Sequence, residues 1–247
     1  MDRLYFRQLR AGVDFGQSVP QAAAMQNLVY LIGDRQTGET LVIDPAWATG
    51  ELLDLVERDG MRLSGVLVTH YHPDHIGGSM FGMQVQGLAE ILARAPCPIH
   101  THRLELEGVQ KVAGLSRSDL TGHDSGDRVA VGAVEVQLLH TPGHTPGSLC
   151  FRLRAQPGAS PGARQGDVLI SGDTLFLRGC GRVDLPGGDV DEMFRTMTER
   201  LGSLPPDTVV YPGHDYGGTS AALSQLQRTN IYLRVSDLSS WRKMLGR

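Results

Sequence analysis

The stretch Thr69-His70-Tyr71-His72-Pro73-Asp74-His75 places three imidazoles and a carboxylate within six residues. It follows Gly65-Val66-Leu67-Val68, a short aliphatic, β-branched run with the profile of a buried strand. In extended chain His70 and His72 leave from the same face, because side chains alternate with a period of two. Pro73 holds His72 extended and suits the first position of a turn or helix. Asp74 and His75 then fall on that turn and aim at a second point beside the first. The competing reading is a solvated polar loop with incidental histidines.

Three more segments each set a metal-capable residue in a Gly-bearing turn after a strand. In Leu139-His140-Thr141-Pro142-Gly143-His144-Thr145-Pro146-Gly147-Ser148, His140 keeps parity with Val134, Val136 and Leu138, which predicts an inward, hydrogen-bonded side chain. His144, between two Pro-Gly turns, is the better ligand. Asp173 emerges from Ile170-Ser171-Gly172-Asp173-Thr174, and His214 from Tyr211-Pro212-Gly213-His214-Asp215-Tyr216. With the first cluster these supply enough donors for two metal sites. Imidazole and carboxylate without thiolate suit zinc, iron(II) or manganese rather than a Cys-rich structural site. His100 and His102 form a further His-x-His with no acid behind it, read as supporting or surface residues, and His123 is read as loop.

Around these motifs the chain predicts an edge strand over 3–9, strands at 27–32 and 40–43, and a helix over 51–58. A helix is expected from Met83 to Arg94, with Met80, Phe81 and Met83 in the core or a pocket wall. A short strand near Ile99 and a helix over 104–112 follow. From Arg128 four strands succeed one another (128–131, 134–139, 149–153, 168–170), with 155–165 as a hairpin tip without periodicity. A helix over 190–201, a strand at 208–211 and helices near 221–228 and 238–245 complete the pattern.

A net charge of −4 and a pI near 6.1 give no global field to attract nucleic acid or an anionic membrane. Cys97, Cys150 and Cys180 are too few and too scattered for a disulfide framework. The first residues lack the apolar core of a signal peptide, and no run approaches a membrane span. The expectation is a cytoplasmic protein of one domain over 1–247 whose partner is a small molecule. Neither nucleic acid nor membrane is expected as a partner, and a homodimer is admitted.

Taken in order, Thr-His-Tyr-His-Pro-Asp-His-Ile-Gly-Gly, Thr-Pro-Gly-His-Thr-Pro-Gly-Ser, Ser-Gly-Asp-Thr-Leu-Phe and Tyr-Pro-Gly-His-Asp-Tyr resemble the metallo-β-lactamase superfamily. Within it the chain is most similar to the hydroxyacylglutathione hydrolase (glyoxalase II) branch and the related persulfide dioxygenases. The resemblance implies an α/β fold, an αββα sandwich of two facing mixed sheets with helices outside. It implies two divalent ions: His70, His72 and His144 on the first, Asp74, His75 and His214 on the second, Asp173 bridging. It also places Arg182, in Gly179-Cys180-Gly181-Arg182, and Tyr216 on the substrate side.

Two departures bear on substrate. The chain ends soon after Tyr216, where glyoxalase II carries a helical domain with basic glutathione contacts, and the 79–126 segment is long enough to form a lid or pocket wall. The leading reaction is hydrolysis of a thioester or related acyl bond. A water shared by two cations would attack the carbonyl, with Asp74 orienting and charge-balancing it. The alternatives are a persulfide dioxygenase with a single iron(II), acting on glutathione persulfide, and another hydrolase of the fold such as a lactonase.

Overall fold

In a computed structural model that describes residues 3–155 and 166–246, twelve strands form two six-stranded sheets. The first holds β1 (Leu4–Arg10), β2 (Leu28–Asp34), β3 (Glu39–Ile43), β4 (Arg62–Leu67), β5 (Ile99–His102) and β6 (Leu120–His123), side by side in chain order. The second holds β7 (Arg128–Val131), β8 (Val134–His140), β9 (Leu149–Leu153), β10 (Val168–Gly172), β11 (Val209–Pro212) and β12 (Ala221–Ala222), again in chain order. The expected hairpin tip at 155–165 lies, but for Ala155, outside the described residues.

The period-two alternation explains why the sheets face one another. On β2, Leu28, Tyr30 and Ile32 point into a core shared with Val136, Leu138, Leu149, Phe151, Val168 and Ile170 of the second sheet. Val29 and Leu31, of opposite parity, face outward onto Phe15, Ala22, Leu52 and Val56. Outside the second sheet, Cys150, Leu169 and Val210 meet Met193, Met197, Leu223 and Trp241. A strand covered on both faces must read as a near-continuous apolar run, as 28–32 does. The expected sandwich, sheet on sheet with helices outside, is the observed architecture.

Parallel neighbours need crossovers, and helices supply them. Helix Thr49–Arg58 joins β3 to β4, helix Leu106–Ala113 joins β5 to β6, and helix Val190–Arg195, continued by a π-helical turn over Thr196–Leu201, joins β10 to β11. The segment 79–126 therefore mostly widens the first sheet rather than forming a lid. The helix expected from Met83 begins only at Leu88. Residues Gly78–Met80 and Met83–Val85 pair as a hairpin instead, because Gly77, Gly78 and Gly82 take positive φ and break the helical path. Met80 packs on the outer core, whereas Phe81 at the hairpin tip is 90% exposed. His123 is in β6, opposite His102, rather than in a loop. The three cysteines are unpaired, and among the described residues no helix is long and apolar enough to cross a membrane.

Strands β3 and β4 run parallel in one sheet and β10 and β11 in the other. The residues following their carboxyl ends are Asp44, Val68–His75, Asp173 and Gly213–His214. The turn between β8 and β9 adds His144. Ligand sites of α/β sheets form outside such strand ends.

Candidate metal centre

The seven ligand candidates converge at this edge. His70, His72 and His144 bring ligand atoms within 4.8 Å of one another, and so do Asp74, His75 and His214. His72 Nδ1 lies 3.0 Å from His144 Nε2, and His75 Nε2 lies 3.1 Å from His214 Nε2. Asp173 stands between the groups: Oδ1 is 3.3 Å from His75 Nε2 and 3.4 Å from His214 Nε2, while Oδ2 is 3.8 Å from His144 Nε2. One carboxylate thus turns an oxygen to each cluster.

Two glycines permit that convergence. A Cβ on Gly172 would come within 2.8 Å of the Thr69 side chain, and one on Gly213 within 2.5 Å of Asp173 Oδ1. Both are shorter than real Cβ contacts, so any larger residue would push the second sheet's ligands away from the His70–His75 turn.

The remaining nitrogens fix the tautomers. His214 Nδ1 donates to the Met25 carbonyl at 2.7 Å, and His144 Nδ1 to the Arg182 carbonyl at 2.7 Å. His75 Nδ1 donates to Asp44 Oδ2 at 3.0 Å. The Thr69 hydroxyl donates to the same oxygen at 2.6 Å, so its oxygen accepts from His70 Nδ1 at 2.9 Å. With each of these hydrogens spoken for, the Nε2 lone pairs of His70, His75, His144 and His214 all face the cleft. His70 Nε2 and Asp173 Oδ1 are buried without a hydrogen-bond partner. Convergent lone pairs and an orphaned carboxylate oxygen suit divalent cations, and the donor set fits zinc, iron(II) or manganese.

The two ends differ electrostatically. Burial and the neighbouring His75, His144 and His72 push His70 well below the usual imidazole range, and burial with His144 and His75 takes His72 to about 4. At the other end burial alone would lower His75 and His214. The Asp173 and Asp74 carboxylates outweigh it for His75, and chiefly Asp173 for His214, so His75 is raised well above its ordinary value and His214 to about 9. Burial likewise opposes ionisation of Asp74 and Asp173, but the adjacent histidines hold both below the carboxylate range. In the metal-free protein a proton does at that end what a cation would do.

Several contributors were not legible in the sequence. Asp44, buried with φ +53°, orients two of the candidate ligands and has no motif signal beyond its place at the end of β3. Asn27 Nδ2 donates to Asp74 Oδ2 at 3.2 Å while its oxygen accepts Trp47 Nε1 at 2.9 Å. His140 is half-buried, not inward: its ring stacks on His102 with centroids 4.0 Å apart, and Nε2 meets the Pro146 carbonyl at 2.8 Å. His100 pairs with His123 at 2.9 Å, away from the centre.

Of the two residues placed on the substrate side, Arg182 turns its guanidinium outward to Asp184 at 2.8 Å; its carbonyl is what reaches His144. The ring of Tyr216 stacks on His214 with centroids 4.6 Å apart and is 42% exposed at the cleft mouth.

A two-sheet sandwich with clustered histidines and a shared aspartate at its strand ends defines a metal-binding enzyme. The chain belongs to the metallo-beta-lactamase superfamily, whose family profile matches residues 23–214. It is 38% identical over 194 residues to a hydroxyacylglutathione hydrolase of Polaromonas, covering 78% of this chain and 64% of that one. It is 32% identical over 203 residues to a mitochondrial persulfide dioxygenase of Bos taurus, covering 81% and 68% respectively. The chain thus spans about two thirds of the length of these relatives. The crystal structure of ETHE1 from Myxococcus xanthus superposes with a TM-score of 0.76 at 27% identity, covering 98% of this chain and 90% of that one.

Proposed function

We propose that this protein is a two-cation hydrolase of thioesters, of the hydroxyacylglutathione type. The observation that carries the reading is Asp173, whose two oxygens face two separate histidine clusters. The 38% identity to a hydroxyacylglutathione hydrolase supports it.

His70, His72 and His144 would hold one ion, Asp74, His75 and His214 the other, with Asp173 shared. Two such ions supply Lewis acidity and a water acidified from a pKa of 15.7 to about 7. The chain's own groups do the rest. Asp74, fixed by Asn27, accepts a hydrogen bond from the nucleophilic water and aims it at the acyl carbon. Asp44 and the Met25 and Arg182 carbonyls keep the imidazoles in the liganding tautomer. Tyr216 walls the entrance, and a thiolate leaves without a general acid.

The second reading is a persulfide dioxygenase with one iron(II), held by His70 or His72 with His144 and Asp173. The 32% identity to the Bos taurus enzyme, and a match over nearly all of the Myxococcus xanthus chain, favour it. Metal analysis of the purified protein, with a hydroxyacylglutathione thioester and glutathione persulfide assayed in parallel, separates the two. Two ions and thiol release are expected; one iron with oxygen uptake would replace the first reading by the second.

A further inference from the structure

Glu105 is fully buried, and among the described residues no arginine or lysine pairs with it. Three neutral donors surround its carboxylate. Oε1 accepts the Thr145 hydroxyl at 2.8 Å and the Gly147 amide at 2.7 Å, and Oε2 accepts the Tyr71 amide at 2.9 Å. Tyr71 stands between His70 and His72, and Thr145 follows His144. The side chain therefore ties the turn bearing two imidazoles of the first cluster to the loop bearing the third. Gly147 makes the fit possible, since a Cβ there would lie 2.8 Å from Glu105 Cγ and Oε1.

Burying a carboxylate without a cation is costly, and burial raises this one to about 7 although all three hydrogen bonds favour the charged form. A hydrophobic residue could cap the loop without that cost, but it could not bind three donors from two segments at once. The three-histidine cluster offers imidazoles alone, and Asp173, the carboxylate that turns an oxygen towards it, is shared with the other cluster. A buried negative charge behind it would favour a divalent cation through a low-dielectric interior.

We propose that Glu105 is the positioning residue of the three-histidine cluster, fastening the His70–His72 turn to the His144 loop and raising that cluster's affinity for a divalent cation. This rests on the two-cation reading of the centre. The test compares the full chain with its Glu105→Gln and Thr145→Val variants. Zn²⁺ affinity is measured by chelator competition, ring ¹⁵N signals of His72, His144 and His214 are followed, and amide exchange is read at Tyr71 and Gly147. Glu105→Gln keeps the shape and one acceptor oxygen but sets an NH₂ against one of the donors.

The expected result is two Zn²⁺ per wild-type chain. In Glu105→Gln one of the two sites weakens 10- to 100-fold, the range for lost outer-shell partners. His72 and His144 should report that loss while His214 is unchanged. Thr145→Val, which removes a single donor, should weaken the same site less and serves should Glu105→Gln not fold. Wild-type affinity at both sites in the variants, whatever their melting temperature, overturns the role of Glu105. A wild-type chain that binds no Zn²⁺ at these histidines overturns the two-cation reading itself.

Discussion

The Asp44 carboxylate lies 3.0 Å from His75 Nδ1, and through Thr69 it also reaches His70. One side chain outside the ligand set thus orients an imidazole in each cluster. Asp44→Asn is a clean probe, because asparagine tolerates the left-handed backbone found there. The fold should persist while metal affinity drops about 10- to 100-fold, read by chelator competition. Unchanged affinity would show that Asp44 serves only the turn.

Asp173→Ala removes the shared oxygens. Bound metal should fall from two ions to one or none per chain by elemental analysis, with hydrolysis abolished. Full turnover in a metal-free preparation would end the proposed mechanism.

The raised value of His214 gives a pH signature. In the metal-free protein its interaction with Asp173 and Asp74 is fully present below the ordinary imidazole value of about 6.5 and is lost as pH rises through about 9. Melting temperatures of the chelated protein should therefore decline over that window. Metal binding must displace the same proton, so affinity at the Asp74, His75 and His214 cluster should rise across it, by up to about tenfold per pH unit for one proton. Calorimetric titration at several pH values checks both slopes.

Tyr216 stacks on His214 and its hydroxyl makes only a 3.4 Å contact with the Met25 carbonyl. Tyr216→Phe should be nearly silent. Tyr216→Ala should raise KM about tenfold, the order of an aromatic contact of about 1 kcal/mol plus lost burial, with a smaller change in kcat. Steady-state kinetics on a thioester would show it.

Asp34, at the end of β2, accepts the Arg3 side chain at 2.7 Å and the Ala133 amide at 2.8 Å, joining the first sheet to the β7–β8 turn. These contacts hold its carboxyl well below the usual range. Its contribution is present above the ordinary value of about 3.9 and is lost as pH falls further. Asp34→Asn should flatten the acid limb of a stability-versus-pH curve measured by thermal denaturation.

How much of this was written in the sequence depends on range. The seven ligand candidates were legible because their neighbours are local: a His-x-His-x-Asp-His run, and His or Asp set in Gly turns after apolar strands. Asp44, Asn27 and Glu105 were not, since each acts through partners 20 to 47 positions away. The helix expected over 83–94 takes in the hairpin's second strand, Met83–Val85, because Val85, Leu88, Ile91 and Leu92 keep helical spacing. The glycines ahead of them decide the backbone first. His140 kept strand parity, yet it sits at the end of β8, where the sheet gives way to the cleft and no core remains to receive it.

The order of the ligands along the chain carries a consequence for biosynthesis. Of the seven candidates, His70 to His75 leave the ribosome first and His214 last, and the shared Asp173 lies between. A nascent chain shorter than about this last histidine can gather imidazoles but not close both clusters. The three-histidine cluster is thus complete in the chain once His144 has been made, whereas its neighbour waits for His214.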